Sequence, residues 1–309
     1  MSLDRNKIRS FWNGFWQLAD IKIWIASTVP MIVGAALAYG ITGRIHLYWL
    51  IVSMIGIYCI EIGKNAVNEI VDYISGVDRF VTPKNRTPFS GGKKTIVDGK
   101  LTLFETGLIA VFTFGLAGLI GLYIVFFRER SVLYVGLAGV IISIIYSVPP
   151  FKLSYRGFGE VAVGVTFGPL ILSGMYLVMA NSFDIRAILV SIPIGLLIAN
   201  VLWINQFPDY EADMQGGKKN WVVRLGKKRS VKVYQWIFTA AYVCFLLMSI
   251  LLKNWLWLLG FLTVPIAYQA VETAKLYYND IPNLQKANAK TVQIYIATGI
   301  IMTIAALFQ

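Results

Sequence analysis

Apolar residues run along this chain in long blocks separated by short polar stretches. Nine blocks stand out, at 21–40, 47–73, 102–127, 131–147, 159–180, 185–208, 231–252, 254–273 and 291–308. Runs of about 20 apolar residues make helices that cross a hydrocarbon layer of roughly 30 Å. Inside such a layer every backbone polar group must be satisfied within the protein, which leaves helices or closed barrels. These blocks are continuous rather than alternating, so the pattern predicts an all-α, polytopic membrane protein with about nine transmembrane helices. The opening stretch, MSLDRNKIRSFWNGFWQLAD, is different. It is amphipathic and aromatic, and it has neither the apolar core nor the small-residue cleavage site of a signal peptide. It is expected to lie on the membrane surface as an interfacial segment over 1–20, anchored by Trp12 and Trp16, within one domain spanning 1–309.

Composition agrees with the pattern. Of 309 residues, 57% are hydrophobic and 14% charged, against roughly 25% charged in soluble domains. The net charge of +12 raises nucleic acid as a partner, but the placement of the charges points elsewhere. If the N-terminus is cytoplasmic, about 21 of the 28 Lys and Arg fall on that side and five (Arg44, Arg128, Arg130, Arg186 and Lys253) on the other. This is the bias that orients membrane proteins, so nucleic acid is not expected as a partner. It places the loops after the second, fourth, sixth and eighth blocks in the cytoplasm, with the chain in the plasma membrane of a prokaryote. Cys59 and Cys244 sit inside apolar blocks and offer no disulfide framework, and the sole histidine, His46, cannot build a bis-His haem site.

Candidate chemistry enters where two blocks end. NEIVDY occupies 68–73 and NQFPDY occupies 205–210. An i, i+4 spacing puts two side chains on one helix face, so Asn68 pairs with Asp72, and Asn205 with Asp209. Asp213 continues the second face if the helix persists. Asp78 follows the first stretch beyond Gly76, which is expected to break the helix, and Glu69 and Glu211 add carboxylates nearby. Each stretch is followed by a basic, Gly-containing loop, giving a loose internal repeat around 65–78 and 205–213. Two clusters of hard oxygen ligands suit Mg²⁺, which commonly shares its shell with substrate phosphates. Arg86, Lys93, Lys94, Lys152, Arg156, Lys218 and Lys219 are then candidates to hold a diphosphate. The connector YSVPPFKLSYRGFGE (146–160) cannot be one continuous helix through Pro149 and Pro150. On this reading its Lys152 and Arg156 reach the diphosphate while Tyr146 orients substrate. Glu61 and Lys64 lie deeper in the second block, and their i, i+3 spacing suggests an ion pair. An ion-coupled transporter would also explain repeated acids, but its coupling sites sit near the midplane, whereas these acids sit at block ends beside basic loops. A soluble enzyme working on a diphosphate with the same acidic chemistry is excluded by the hydrophobicity.

These residues resemble the UbiA superfamily of intramembrane aromatic prenyltransferases. The string NAVNEIVDYISGVD is most similar to the branch that prenylates 1,4-dihydroxy-2-naphthoate in menaquinone synthesis. Asp209-Tyr210-Glu211-Ala212-Asp213 resembles the second Asp-x-x-x-Asp motif, and the connector matches in position and character. The resemblance implies a helical bundle around a central cavity, Mg²⁺ as cofactor, a polyprenyl diphosphate donor and a small aromatic acceptor. It implies Asn68, Asp72 and Asp78 as ligands of one metal, with Glu69 a further candidate, and Asp209 and Asp213 as ligands of the other. Asp72, Asp209, Tyr146 and Lys152 are the expected catalytic residues. Asn68, Asn205, Arg86, Lys93, Lys94, Lys152, Arg156 and Lys218 are expected at the diphosphate. The alternative acceptors are 4-hydroxybenzoate, homogentisate, a tetrapyrrole or a glycerol-phosphate lipid. Three departures stand out: Glu69 replaces the more usual Asp, NRTPFSGG replaces an Arg-Pro-Leu, and NQFPDYEAD differs from Asn-Asn-x-Arg-Asp.

Overall fold

The computed structural model describes residues 5–80, 87–90 and 92–309. Among these, every extended element is helical, and the lone β-bridge, Thr87 to Ser90, closes a turn. The helices are α1 (Arg5–Ala19), α2 (Ile25–Thr42), α3 (Leu47–Ser75), the short α4 (Val77–Phe80), α5 (Leu103–Phe127), α6 (Val132–Ile145), α7 (Gly159–Val165), α8 (Ile171–Ala180), α9 (Ile185–Gln215), the short α10 (Trp221–Leu225), α11 (Lys227–Leu251), α12 (Val264–Tyr277) and α13 (Ile281–Leu307). Among the described residues, eight segments are long and apolar enough to cross a membrane, and α6, with 14 residues, fills the remaining predicted block. The chain is an integral membrane protein.

Three local features position the acidic stretches and the helices around them. First, α3 stops at Gly76, which adopts φ 81. A left-handed residue just past a helix is natural for glycine, and here it turns the chain into α4 so that Asp78 comes back toward the end of α3. Second, α9 does not stop at Pro208. The block predicted to end there continues to Gln215 with Pro193 and Pro208 inside the helix. A proline removes one backbone bond, but Phe207, Pro208 and Ala212 are buried, and packing holds the helix through it. Asp209 and Asp213 are therefore helical and share a face with Asn205. Third, α7 and α8 form one rod joined by a π-helical turn over Thr166–Leu170 that contains Pro169. That rod packs against α9 backbone to backbone: a Cβ at Gly195 would lie 2.5 Å from the Gly164 carbonyl oxygen. Small residues allow such contact where lipid supplies no hydrophobic drive between helices.

The N-terminal helix α1 packs by Leu18 and Ala19, fully buried, and leaves Trp12 and Trp16 exposed. Asp20, at φ 44, turns the chain from α1 toward α2. Asn65 of α3 donates to the Leu18 carbonyl at 3.1 Å, which fixes α1 against the helix carrying the first acidic stretch.

The ends of α3 and α9 meet through Gly216. A Cβ there would lie 2.3 Å from Val77 Cγ2, and Val77 is buried, so it has no room to retreat. Gly216→Ala is expected to destabilise the detergent-solubilised protein by about 1–3 kcal/mol. Gly107→Ala, where the added methyl meets open space, is expected to melt close to wild type. Equal melting temperatures for the two variants would show that the junction yields.

Candidate active site

The first acidic stretch is organised by the helix rise. Asn68 Nδ2 donates to Asp72 Oδ2 at 2.9 Å, as the i, i+4 spacing predicts. Asn68 Oδ1 in turn accepts from Ser147 Oγ at 2.7 Å. The other oxygen of Asp72, Oδ1, accepts from the Tyr155 hydroxyl at 2.7 Å, and Tyr155 also shares a 2.8 Å bond with Ser75. Asp72 is thus held from its own helix and from the 146–160 connector. Burial and then Asp72 raise the Tyr155 hydroxyl above its usual pKa, so it stays a donor.

Lys218 joins the two stretches. Its ammonium lies 3.7 Å from Asp72 Oδ2 and 3.9 Å from Asp213 Oδ1. Asp213 Oδ2 accepts from Asn220 Nδ2 at 2.7 Å, and Asn220 also caps α10 through Val223 N. Burial works against the charge on Lys218, but Asp72 and Asp213 outweigh it and hold the ammonium well above its usual pKa. The two acidic stretches therefore face one common space. Asp209 lies on α9 one turn from both Asn205 and Asp213. Asn205 accepts from Asn288 of α13 at 2.8 Å and lines the adjoining cavity.

The loops over this space are sewn together. Lys219 N donates to the Tyr155 carbonyl at 2.9 Å. Arg224 donates to the carbonyls of Lys219 and Arg156, and Glu160 accepts from Trp221 N at 3.1 Å. Lys152 sits with its ammonium 4.6 Å from the centre of the Tyr155 ring, a cation–π arrangement that keeps it beside the Asp72 partner. Tyr146, like Asn205, lines the cavity.

Several expectations change. Glu69 is buried but is not an open carboxylate: it accepts from Lys94 N, Thr95 Oγ1 and Ile96 N. It staples the 92–96 loop to α3, and three donors leave it little capacity as a metal ligand. Lys93 pairs with Asp20, and Gln17 donates to its carbonyl at 2.7 Å, so it ties the loop to α1 rather than reaching a diphosphate. Lys94 points the other way, is 2% exposed and donates to the Asp78 carbonyl at 3.0 Å. Arg156 is exposed and meets Arg224 through its carbonyl only. Glu211 and Lys219 are exposed, and Glu211 lines a separate basic cleft with Lys227, Lys228 and Arg229. Glu61 and Lys64 do not form an ion pair; the five among the described residues lie elsewhere. Arg86 lies outside the described residues. Ser147 and Asn220 are site residues that the sequence pattern does not mark; Tyr155, on the 146–160 connector and expected on the same side as the acidic clusters, turns out to hold Asp72.

Do these residues fit Mg²⁺? The donors are hard oxygens. Asp78 is 4% exposed, and its Oδ2 has no hydrogen-bond partner. Gly92, at φ 72, brings its backbone so close that a Cβ would lie 2.9 Å from Asp78 Oδ1. Among the described residues no three carboxylates converge on a single point. Mg²⁺ does not require that, because it is commonly held by one or two carboxylates and completed by phosphates and water. The ammonium already set between Asp72 and Asp213 shows that the space favours positive charge. The set fits.

Beside the acids, Asn205 and Tyr146, the latter within electrostatic reach of Lys218, Asp72 and Asp213, line a cavity of about 350 Å³ between α3, α5, α6, α8 and α9, walled by residues such as Ile57, Ile120, Ile124, Phe167 and Met175. A charged, oxygen-rich mouth leading to an apolar interior suits an amphiphile with an anionic head. A profile of the UbiA prenyltransferase family matches residues 27–297. The chain belongs to the UbiA prenyltransferase family. It is a prenyltransferase. Among UbiA relatives, it is 28% identical to 2-carboxy-1,4-naphthoquinone phytyltransferase of Synechocystis, covering 92% of each chain. It is also 28% identical to 1,4-dihydroxy-2-naphthoate octaprenyltransferase of Bacillus subtilis, over 95% of this chain and 92% of that one. The fold is similar to that of a UbiA homologue from Aeropyrum pernix, with a TM-score of 0.71 and 16% identity over 92% of this chain and 97% of that one. It is also similar to a UbiA homologue from Archaeoglobus fulgidus bound to GPP and Mg²⁺, with a TM-score of 0.65 and 16% identity over 94% and 99%.

The UbiA site carries a pH signature. Burial, then the carboxylates of Asp72 and Glu69, push Asp78 up to about 7. In the unfolded chain an aspartate titrates near 3.9, about its unperturbed value. Between those values the native state holds a proton that the unfolded state has lost, so Asp78 makes stability fall as pH rises, and its effect levels off above about 7. In metal-free buffer, Asp78→Asn is expected to melt at a temperature that declines less between pH 5 and pH 7.5 than wild type does. An unchanged slope would place the ionisation elsewhere.

Proposed function

We propose that this chain transfers a prenyl group from a polyprenyl diphosphate to 1,4-dihydroxy-2-naphthoate, with Mg²⁺, in menaquinone biosynthesis. The observation that carries the reading is the convergence of Asp72 and Asp213 on Lys218 at the mouth of an apolar cavity. The naphthoate acceptor is supported by the names of the two curated relatives above. The proposed topology has the N-terminus and the site loops on the cytoplasmic side of a prokaryotic plasma membrane, which the distribution of Lys and Arg supports.

The mechanism follows from the residues. Asp72, Asp78, Asp209 and Asp213, with Asn68, would hold Mg²⁺, which when bound supplies charge neutralisation and Lewis acidity to a diphosphate. Lys218, Lys94 and Lys152 add fixed positive charge around the phosphate oxygens. The donor's C1–O bond breaks and its electron pair leaves with the diphosphate. The apolar cavity keeps water from the allylic cation, which water would otherwise capture. A ring carbon of the acceptor bonds to C1, and the ring proton leaves to the departing diphosphate or a nearby carboxylate. Tyr146 stands where the mouth meets the apolar wall and orients the reacting carbons. Tyr155 and Ser147 hold Asp72 and Asn68 in place for this task, so small errors in their positions are costly.

Assayed with labelled prenyl diphosphate, Asp72→Ala and Asp209→Ala are expected to lose transfer while remaining in the membrane. Full activity in both would sink the site assignment. Tyr155→Phe keeps the ring under Lys152 but removes the donor to Asp72. It is expected to cut the rate about ten- to a hundredfold, in line with one charge-assisted bond of about 1.5–3 kcal/mol, and a wild-type rate would show that Asp72 needs no orienting hydroxyl.

A further inference from the structure

The cavity wall carries two ionisable side chains that the chemistry above does not use. Both are on α3: Glu61 and Lys64. Glu61 is 5% exposed, and its Oε2 has no hydrogen-bond partner. A buried carboxylate oxygen without a donor is among the most expensive features a protein can keep, and ionisable groups in a membrane span point to function. Lys64 follows three residues later on the same face, yet the two do not pair. The remaining charges within electrostatic reach are Asp20 and Lys93, which already satisfy each other. An acid and a base thus stand side by side, unpaired, in a wall whose other polar groups are uncharged: Ser53, Ser143, Tyr146, Thr166 and Asn205.

We propose that Glu61 and Lys64 form the binding site for the acceptor's acid and hydroxyl groups. This rests on the naphthoate reading above. Lys64 has donors only and takes the carboxylate; Glu61, when ionised, accepts only and takes the hydroxyl hydrogen beside it. A flat aromatic acid with its hydroxyl next to the carboxyl bridges the pair and leaves its ring against Gly56, Ile57 and Ile60. A diphosphate is a poor fit, because Glu61 would repel it.

Depth agrees. At about 1.5 Å of rise per residue, Lys64 lies about 6 Å and Glu61 about 10 Å inward of Asn68 along α3. The diphosphate mouth is at Asn68 and Asp72. The acceptor ring is thereby held just inside the head group, where the donor's C1 emerges. The i, i+3 spacing that suggested a structural ion pair instead sets the two groups apart by enough to be bridged by a ligand.

The test is binding, without turnover. Full-length protein in nanodiscs is equilibrated with 1-hydroxy-2-naphthoate and, separately, with 1-naphthol, which lacks the acid. Wild type is expected to prefer the acid by about tenfold or more. Lys64→Met should abolish that preference, and Lys64→Arg should keep most of it. Glu61→Gln should weaken both ligands together. Geranyl diphosphate and the hydroxynaphthoate should bind wild type simultaneously. A preference that survives Lys64→Met overturns the proposal, and so does a loss of geranyl diphosphate affinity in that variant. Competition between the two ligands on wild type overturns it even if no variant folds. If wild type shows the binding preference but forms no prenylated product from 1,4-dihydroxy-2-naphthoate, the acceptor reading fails while the aromatic-acid site stands.

Discussion

Asp72 and Asp213 come from helix ends far apart in sequence, and they can share one space only because Lys218 stands between them. Two carboxylates at the edge of a low-dielectric bundle repel strongly, and the repulsion grows as water is excluded. The ammonium offsets it from within the second loop. Everything else at the site is arranged around that contact: Gly216 admits Val77 and brings the helix ends together, Asn220 orients Asp213, and Tyr155 orients Asp72. An arrangement that requires a cation for its own coherence is also one that accepts a cation from solution.

The spans were largely legible because the membrane imposes one solution on an apolar block. All nine predicted blocks are helical, and the errors are at the ends, where lipid no longer dictates the outcome. The block ending at Pro208 shows why. A proline reads as a stop in isolation, yet a buried helix end carries it through to Gln215. That extension decides whether Asp213 stays on the face of Asn205 and Asp209, and it depends on packing that no local pattern contains.

The site was legible wherever its logic was helical and obscure wherever it lay in loops. Asn68 and Asp72 follow from spacing alone, and their bond is observed. Lys93 and Lys94 are adjacent and chemically identical, yet one faces Asp20 and the other Asp78. Positive φ at Gly92 and Lys94 sends neighbouring side chains apart, which composition does not reveal. Glu69 sits within an acidic motif, but the backbone donors that occupy it come from a loop 25 residues away. Ser147, and the bond from Tyr155 to Asp72, were hidden for the same reason, since partners across the bundle are set by the path of a connector.

The contrast between Glu69 and Glu61 carries this logic one step further. Both are buried carboxylates on α3, two turns apart, and a lysine stands close to each. Glu69 has three donors and is structurally accounted for. Glu61 retains an oxygen with none. A fold that so thoroughly satisfies one acid has the means to satisfy the other, and Lys64 is the obvious partner. Leaving them apart costs stability that a purely structural pair would recover. In a protein that must admit a polar ring into an apolar chamber, that cost has a use: the desolvation is already incurred before the ligand arrives, so the ligand's own acid and hydroxyl gain the full strength of interactions in a dry cavity.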